Sequence, residues 1–540
     1  MQMFHGLGIE LKFQVPNPRR AALASEIARG SAASEHTTLA AMYLDTPDRR
    51  LALAGIVWCM RREGRRWFQT LKASETADPD RFEHEVIRPN ASHDATLHAG
   101  TKLGQRLVAI LHESSTEGVA VTVRFQTRFK RMSRRIRTKG AVVDVRFDEG
   151  RVIGGGSHQR ISEVEFGLVS GSPAALIDLA ERWRKRHVLI HEPRSKAERG
   201  NGLAEGMPHP PLRKARLPKY VIDADAVGAF DKVAEECIAQ IARNAIGITD
   251  GNPDLSVEHV HQLRVGIRRL RSALRSFRGW IEEAPAGLVD ALRDLFAVLG
   301  RVRDGDVLDS GVAAALAKVG APPIAISAGA ESLDLAGALR AEQTQRMLLA
   351  WIRWRLTLTE RSETPVPPSS EPGTERSSGG GAVPAADGTP PVQPADVPSD
   401  HPRDRPRALP LRAAKRLRRV HQRLSADSRI FDELEESALH ALRKRVKGQR
   451  YAVEFFAPLL RRKDTARYLK VLAVVQDRMG ELNDLMVARE RYQRILESDP
   501  AAWFALGWVA ARITEVRALA KPALERLANM RAPRARGVAA

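Results

Sequence analysis

The residues best suited to chemistry form a regular row of basic side chains between positions 257 and 278. On an α-helix, at about 100° per residue, they fall within an arc of roughly 100°. The row consists of His261, Arg264, Arg268, Arg271, Arg275 and Arg278. Beside it runs an apolar stripe of Leu263, Ile267, Leu270, Leu274 and Phe277. Because a guanidinium donates paired hydrogen bonds to phosphate and stays charged, this pattern predicts a helix that binds a ligand with negative charges in a line.

The same basic row occurs a second time, between residues 439 and 456. It is formed by His440, Arg443, Lys447 and Arg450, which repeat the offsets of the first four members of the first row. A weaker repeat follows each row and pairs Gly300 with Gly480 and Asp304 with Asp484. An internal repeat at this separation predicts two similar helical halves that face one another across a pseudo-twofold axis.

This duplicated register resembles the CHAD family, the conserved histidine α-helical domain. The resemblance implies that the helical part binds inorganic polyphosphate through His261, Arg264, Arg268, Arg271, His440, Arg443, Lys447 and Arg450. The helical rows lack a glycine-rich phosphate loop, a nucleophile–base pair and a metal-ligand cluster, so we interpret them as a binding surface. Two alternatives stay open for single residues. Each histidine can be a core residue whose ring is hydrogen-bonded to a neighbouring residue. The nearby aspartates can orient the arginines by ion pairs without contacting a ligand. These aspartates are Asp304, Asp306, Asp477 and Asp484.

A second group of charges follows a different period, within the first 200 residues. Short segments there alternate apolar and charged positions, as β-strands do. Residues that share one strand face are Glu10 and Lys12; Asp144, Arg146 and Asp148; and Glu163 and Glu165. A solvated outer face would explain any one such strand. Seven segments that mix acids and bases instead favour the wet lumen of a closed antiparallel barrel, where buried charges need partners. A metal-bound polyphosphate would supply those partners.

Three motifs in this region resemble the CYTH family, which includes class IV adenylate cyclases, thiamine triphosphatases and inorganic triphosphatases. They are Gly8–Lys12 for its opening strand, Tyr43–Leu51 for its second element and Ser195–Gly200 near its end. The resemblance covers nearly all of residues 5–205 and implies a triphosphate tunnel fold with Mg²⁺- or Mn²⁺-dependent hydrolysis of inorganic triphosphate. It implies Glu10, Glu163 and Glu165 as the catalytic and metal-binding residues. The implied phosphate ligands of the tunnel are Lys12, Arg61, Lys72, Arg128 and Lys196.

Three positions on the predicted lumen face depart from the family pattern: Gly8, Cys59 and Gly167. Magnesium takes oxygen ligands, usually carboxylates, waters and substrate phosphates. Gly8 stands where the family has a glutamate, and Gly167 where many members have one. The loss of up to two carboxylates weakens a two-metal arrangement, while Glu10, Glu163 and Glu165 could still hold one ion. A non-catalytic polyphosphate-binding or granule-associated protein with a degenerate first domain stays open as an alternative. Adenylate cyclase activity is less favoured, since no residue that would recognise adenine can be identified.

The motifs imply a multidomain protein, with an N-terminal antiparallel β-barrel of the triphosphate tunnel fold followed by an all-α duplicated helical bundle. Changes of composition place the domain boundaries. The predicted segments are 1–205 for the tunnel domain, 206–220 for a linker, 221–360 for the first helical half, 361–408 for a disordered Pro/Ser/Gly-rich insertion, 409–530 for the second helical half and 531–540 for a frayed basic tail.

The overall charge points to an anionic partner, because the net charge is +21 and the isoelectric point about 10.4. An arginine-rich proteome is the alternative explanation. Nucleic acid is disfavoured, since only 5% of residues are aromatic and no nucleic-acid motif is visible. Cys59 and Cys237 cannot make a disulfide framework and favour a reducing compartment. Without a signal-peptide pattern or an apolar run of about 20 residues, we expect a cytoplasmic protein, with association with polyphosphate granules left open.

Overall fold

The computed structural model describes residues 9–29, 34–73, 83–324, 334–363 and 408–537; within these ranges the side chains of 302–310, 361–363 and 408 lie outside the description. A nine-stranded sheet with its helices occupies the chain up to residue 204, and helices follow from residue 226 onward. The fold class predicted from the sequence, a sheet domain followed by an all-α domain, is confirmed. None of the helices in these ranges combines the length and apolar content needed to cross a membrane.

In the part of the sheet domain that the structure describes there are nine strands and five α-helices. The strands are β1 (Glu10–Gln14), β2 (Glu35–Asp45), β3 (Ile56–Glu63), β4 (Arg66–Ala73), β5 (Glu83–Arg88), β6 (Thr122–Thr138), β7 (Ala141–Gly154), β8 (Ser157–Gly171) and β9 (Ile190–His191). The helices are α1 (Arg20–Ala28), α2 (Arg50–Leu53), α3 (Lys102–Thr116), α4 (Pro173–His187) and α5 (Lys196–Ala204).

The strands pair antiparallel in the order β5-β4-β3-β2-β6-β7-β8-β1-β9. The long central strands β6, β7 and β8 form a meander, which is why charged rows far apart in sequence become neighbours. Between β5 and β9 the described residues show no pairing, so the closed barrel expected from the sequence is not completed by strand pairing. In the described residues, the edge strand β5 has 6 residues and the edge strand β9 has 2.

The two faces of the sheet differ in chemistry because side chains alternate along each strand. One face is apolar and packs against α1 and α4, with Phe13, Val145 and Phe166 fully buried beside Trp183. The burial of such side chains stabilises the fold by roughly 1.5–3 kcal/mol each. This packing fixes the register, so the charged residues that alternate with the buried apolar ones lie on the opposite face, which we call the charged face. They include Glu10, Lys12, Asp144, Asp148, Glu163 and Glu165.

The helical domain contains ten α-helices within the described part of the chain. They are α6 (Ala226–Asp250), α7 (Ser256–Ser276), α8 (Ala286–Val307), α9 (Ala314–Lys318), α10 (Leu335–Arg340), α11 (Glu342–Glu363), α12 (Ala408–Arg429), α13 (Glu436–Phe456), α14 (Arg462–Ile495) and α15 (Ala502–Ala528).

Helices α7 and α13, which carry the two basic rows, pack directly against each other. Their apolar stripes are buried: Leu263, Ile267 and Val446 have no exposed surface. At the C-terminal ends of the two helices, the ring of Phe277 lies 5.1 Å from that of Phe456. Because these are equivalent positions of the internal repeat, the two helical halves face one another as predicted.

Two of the segments predicted from the sequence, the insertion and the C-terminal tail, can be compared with the structure to different extents. The insertion expected at 361–408 lies almost wholly outside the described residues. The tail expected to be frayed from 531 is pinned to the start of α14, since the Arg461 amide donates to the Arg534 carbonyl at 2.9 Å. The Arg536 amide also donates to the Leu459 carbonyl at 2.8 Å. Backbone hydrogen bonds, which composition does not reveal, therefore order the tail as far as residue 536.

The two domains contact one another along α4, α11 and β9. Leu349 of α11 is buried in the apolar core of the sheet domain. Arg353 of α11 donates to Asp178 of α4 at 3.0 and 3.3 Å. The backbone amide of His191 donates to Gln345 at 2.8 Å. The helical domain is thus packed against the strand end that precedes α5.

Candidate functional site

Three carboxylates meet on the charged face of the sheet domain, and we call them the carboxylate cluster: Asp148, Glu163 and Glu165. Their oxygens lie within 4.8 Å of one another, and all three residues are buried. Strand register explains the cluster, because Asp148 of β7 stands opposite Glu163 of β8. Glu165 follows two residues later on the same face of β8.

A lysine from α5 lies among these carboxylates. Lys196 Nζ is 2.8 Å from Asp148 Oδ2 and 2.7 Å from Glu165 Oε1, and it also contacts Glu163. The helix begins at this point because the Ser195 hydroxyl accepts a hydrogen bond from the Glu198 amide at 3.1 Å, an N-cap. The lysine is therefore held by a capped helix start and not by a loop.

Two arginines complete the charge balance of the cluster. Arg131 of β6 donates to both Asp148 oxygens at 2.7 Å and to Glu165 at 3.3 Å. Arg199 of α5 lies 3.1 Å from Glu163. Three carboxylates thus face three cations.

The buried charges hold one another in their ionised forms. Burial alone would lower the pKa of Lys196, but Glu165, Glu163 and Asp148 raise it well above its usual value. Burial alone would raise the pKa of Glu165, but Lys196 and Arg131 lower it far below the usual range. Lys196 and Glu165 are therefore expected to stay charged near neutral pH.

The remaining part of the charged face carries looser ion pairs on β3, β4 and β5. Arg61 bonds to Glu85 at 2.5 Å and to Glu63 at 3.1 Å, and Lys72 to Glu83 at 2.8 Å. These side chains are between about a quarter and a half exposed. They can change partners at little cost, because solvated ion pairs contribute little stability.

Tyr43 lies between the two groups of charges. Burial raises the pKa of its hydroxyl, and Cys59, Lys196 and Arg61 all act on it electrostatically. Its ring stacks on Phe125 at 4.2 Å. Arg61 of β3 and the Lys196–Glu165 pair therefore both lie close to Tyr43.

The predicted metal ligands are only partly brought together. Glu163 and Glu165 belong to the carboxylate cluster, whereas Glu10 lies on β1 opposite Gly167 and outside the described three-carboxylate group. Glu10 does act on the charge of Arg131, so it lies close by. The missed member is Asp148. The alternation of the sequence already placed Asp148 on one strand face with Arg146 and Asp144.

Of the predicted phosphate ligands, Lys196 lies in the cluster, Lys12 stands opposite Glu165 on β1, and Arg61 and Lys72 are on the charged face. The placement of Arg128 on that face is wrong. Arg128 is exposed on the other face of β6, where it donates to Gln126 at 3.2 Å. Residues three apart on a strand point to opposite sides, so Arg131 occupies the lumen side.

The departures from the family pattern can be located for two of the three positions. Cys59 is buried on the charged face opposite Tyr43, and burial raises the pKa of its thiol. At Gly167 an added Cβ would meet only the Asp144 carbonyl, at 3.9 Å. There is accordingly room for a Cβ at this position. Gly8 lies outside the described residues.

In the helical domain, four cations from α7 and α13 form what we call the basic groove: Arg264, Arg268, Arg443 and Lys447. The charges of Arg443, Arg268 and Arg264 all act on Lys447. Burial, followed by Arg443 and Arg268, lowers the pKa of Lys447 from 10.5 to about 7. In the described part of the chain, neither Arg268 nor Lys447 has a hydrogen-bond or ion-pair partner.

The two outer arginines of the groove are held by neighbouring helices. Arg264 lies 4.9 Å from the ring centre of Phe296 on α8, and it donates weakly to the Leu299 carbonyl at 3.4 Å. Arg443 donates to Asn483 on α14 at 3.0 Å and lies 3.8 Å from Asp484. The sequence interpretation of Asp484 as an orienting residue agrees with this geometry, and Asn483 was missed.

The other predicted groove residues are less central. His440 is exposed and bonds to Asn483 at 3.2 Å. Arg271 approaches the Phe296 ring at 6.0 Å, and Arg450 pairs with Glu454 at 3.2 Å. His261 is half-buried on α7. The side chains of Asp304 and Asp306 are not among those that the structure describes.

Comparisons with known proteins divide the chain at the same place as the fold. A model of the CYTH domain matches residues 7–200, and a model of the CHAD domain matches residues 232–493. The crystal structure of the CHAD domain from the plant Ricinus communis is 26% identical, covering 60% of this chain and 98% of that one, with a TM-score of 0.43.

Solved structures that match the first part of the chain include the following two. HpAC1 from Hippeastrum, described with a dominant triphosphatase activity, is 18% identical over 36% of this chain and 95% of that one, with a TM-score of 0.28. The inorganic triphosphatase NE1496 is 21% identical over 30% of this chain and 73% of that one, with a TM-score of 0.14. The carboxylate cluster lies within the first matched family range, and the basic groove within the second.

Proposed function

The chain consists of a CYTH domain at residues 7–200 followed by a CHAD domain at residues 232–493, and from this premise we propose two functions for it. The first is hydrolysis of inorganic triphosphate, with Mg²⁺ or Mn²⁺, at the carboxylate cluster of the CYTH domain. The second is binding of inorganic polyphosphate in the basic groove of the CHAD domain.

The observation that carries the first proposal is the buried carboxylate cluster. Hard cations such as Mg²⁺ and Mn²⁺ prefer carboxylate oxygens, and three such residues bring ligand atoms within 4.8 Å. Glu163 Oε1 is buried and accepts no hydrogen bond from the described residues, although the Lys196 ammonium contacts it. This donor set fits a divalent cation.

The roles of the side chains follow from their charges. Asp148, Glu163 and Glu165 would hold the ion, which offsets the negative charge that develops on the transferring phosphoryl group. Lys196 and Arg131 would then exchange carboxylate partners for phosphate oxygens. The half-exposed cations of β3 and β4 would hold the far end of the triphosphate. Water would attack in line, and we assign no general base.

The test is phosphate release from tripolyphosphate by the full chain, with Mg²⁺ or Mn²⁺ and with chelator. We expect release that requires the metal. The non-catalytic alternative is favoured by one observation: Lys196, Arg131 and Arg199 already neutralise the carboxylates. Tripolyphosphate that binds but is not hydrolysed with either metal would establish that alternative.

The charge balance of the cluster predicts that metal and triphosphate bind cooperatively. Adding a divalent cation alone leaves two excess positive charges among buried groups, which is unfavourable; triphosphate supplies the missing negative charge. We expect Mn²⁺ to bind at least about tenfold more tightly in the presence of a non-hydrolysable triphosphate analogue, a coupling of about 1.4 kcal/mol. Calorimetric titration of Mn²⁺ with and without the analogue measures this, and equal affinities would contradict it.

The second proposal rests on the unpartnered cations of the basic groove. Arg268 of α7 and Lys447 of α13 lie close together, and neither has a hydrogen-bond or ion-pair partner among the described residues. At Lys447, burial and the repulsion of Arg443 and Arg268 outweigh the attraction of Asp484. An anionic ligand removes that repulsion. A linear polyanion fits best, because the cations follow helices in a row.

Binding of polyphosphate should depend on pH because of Lys447. Its pKa is about 7 in the free protein and rises when phosphate is bound nearby. Affinity should therefore be full below pH 7 and fall as pH rises above 7, with up to one proton taken up per binding event. Calorimetry in buffers of different ionisation enthalpy measures that uptake. In Lys447→Arg, which cannot deprotonate in this range, proton uptake near pH 8 should disappear.

A further inference from the structure

One short segment of the sheet domain, residues 192–199, both supplies cations to the carboxylate cluster and contacts the helical domain. Lys196 and Arg199 point to the cluster from the first turn of α5. Glu198, between them, points elsewhere and pairs with Arg243 of α6 in the helical domain. One helical turn therefore connects the triphosphate site with the second domain.

Helix α6 holds this segment at two places. Arg243 pairs with Glu198 and also donates to the Pro193 carbonyl at 3.3 Å. Seven residues later, Asp250 accepts from Arg194 at 3.3 Å. Residues seven apart lie on one face of a helix, about two turns from each other. The two contacts thus bracket the start of α5 from one side of α6.

The contact at Asp250 continues into a buried network in the sheet domain. Arg194 donates to both oxygens of Glu192, at 2.8 and 2.6 Å, and both residues are almost completely buried. Gln14 of β1 donates to Glu192 at 2.9 Å and to Asp250 at 2.6 Å. Burial would raise the pKa of Glu192, but the Arg194 hydrogen bonds lower it to about 2. The Glu192–Arg194 pair therefore stays charged at neutral pH.

We propose that α6 is a positioning element for the triphosphate site, with Arg243 and Asp250 holding residues 192–199 so that Lys196 and Arg199 reach the carboxylate cluster. Helix α5 has only 9 residues, and helices of this length are marginal without tertiary contacts. Displacement of a substrate-binding group by about 1 Å can cost on the order of 100-fold in rate. The helical domain is accordingly part of what makes the tunnel site functional.

The first test needs no enzymatic activity and uses the full chain. Hydrogen exchange of the backbone amides of 192–204 is compared for the parent, Arg243→Ala and Arg353→Ala. Arg353→Ala is the control variant. It also breaks an ion pair between the domains, the one from Arg353 to Asp178 on α4, but that pair does not contact residues 192–199. We expect exchange in 192–204 to rise about tenfold in Arg243→Ala and to stay at the parental rate in Arg353→Ala. Equal protection in all three proteins would overturn the proposal.

The second test distinguishes positioning from general stability and rests on the proposed triphosphatase activity. Arg243→Ala should lower kcat about tenfold with a smaller change in KM, because the cations of β3 and β4 still hold the substrate. Arg243→Lys should recover part of kcat, since it keeps the charge. Adding Glu198→Gln to Arg243→Ala should cause no further loss, because Arg243 acts through Glu198. If the losses of kcat caused by Arg243→Ala and Glu198→Gln were additive, Arg243 would not act through Glu198.

The two tests separate the failure of this inference from the failure of the proposed function. If the parent hydrolyses no triphosphate, the exchange experiment still decides whether α6 holds the segment. Binding of a non-hydrolysable triphosphate analogue then replaces kcat, with a measurable loss of less than tenfold expected for Arg243→Ala and none for Arg353→Ala. If the parent is active, and Arg243→Ala keeps both full activity and the parental hydrogen-exchange protection of 192–204, only the positioning role of α6 is wrong.

Discussion

Replacing Glu163 by glutamine is expected to reduce kcat/KM for metal-dependent triphosphate hydrolysis by 100-fold or more, about 2.7 kcal/mol. Glu163 is almost completely enclosed, with 1% of its surface exposed, and it contacts both Lys196 and Arg199. An amide is a weaker ligand for a hard cation and leaves these two buried cations with less compensating charge. Mn²⁺ binding, measured by calorimetry with a triphosphate analogue, should be lost in parallel.

A matched control for this variant is Glu149→Gln, one residue from Asp148 on the opposite face of β7. The Glu149 side chain is 45% exposed and lies 3.5 Å from Arg20. The same chemical change there should leave hydrolysis and Mn²⁺ binding at parental values. Thermal unfolding of both variants shows whether a loss comes from misfolding. A folded Glu163→Gln protein with parental activity would remove the carboxylate cluster from the proposed mechanism.

The helical half was the more predictable part of the molecule because its signal is local. A basic row and an apolar stripe at helical spacing identify the buried and exposed faces of α7 and α13 without knowledge of any distant contact. The duplication added the long-range information, since Phe277 and Phe456 occupy equivalent positions and meet in the structure. The sequence could not indicate that α8 and α14 hold Arg264 and Arg443, because those contacts depend on the packing of further helices.

The sheet domain was predictable in its faces but less so in its site. Alternation placed Glu163 and Glu165 on one side of β8 correctly. The prediction failed for Arg128 because nothing marked which of the arginines on a strand of 17 residues faces the lumen. Asp148 was missed as a ligand because its proximity to Glu163 depends on the register of β7 with β8. Barrel closure was assumed from charge patterning, which contains no information on the length of the edge strands.

Contacts between the two domains could not be predicted from the sequence. Glu198 stands between Lys196 and Arg199, and in a sequence it looks like one more charged residue of a short helix. Only the packing of α6 against residues 192–199 assigns it a different partner. Ion pairs of this kind connect residues 45 or more positions apart, and no periodicity within either segment encodes them.

Replacing Arg268 and Lys447 together by alanine should weaken polyphosphate binding by about 100-fold or more at low salt. Hydrogen bonds to charged groups contribute roughly 1.5–3 kcal/mol each, and both cations lie in the centre of the basic groove. Polyphosphate releases counterions when it binds several cations, as nucleic acids do, so log affinity should fall linearly with log salt concentration. The double variant should reduce that slope by about two. Fluorescence anisotropy with labelled polyphosphate, at several salt concentrations, measures both quantities.

Arg182→Ala with Lys185→Ala is the matched control, because it removes the same two residue types from the exposed side of α4 in the sheet domain. It lowers the net charge equally, so a general effect of charge would appear in both proteins. The apolar stripes of α7 and α13 are untouched in the groove variant, and its fold should be retained. Duplex DNA should compete poorly in the parent, since a groove between two helices does not admit a rod about 20 Å wide. Equal losses in both double variants, or displacement of polyphosphate by duplex DNA at equal charge concentration, would mean that binding is a property of the overall positive charge and not of the groove.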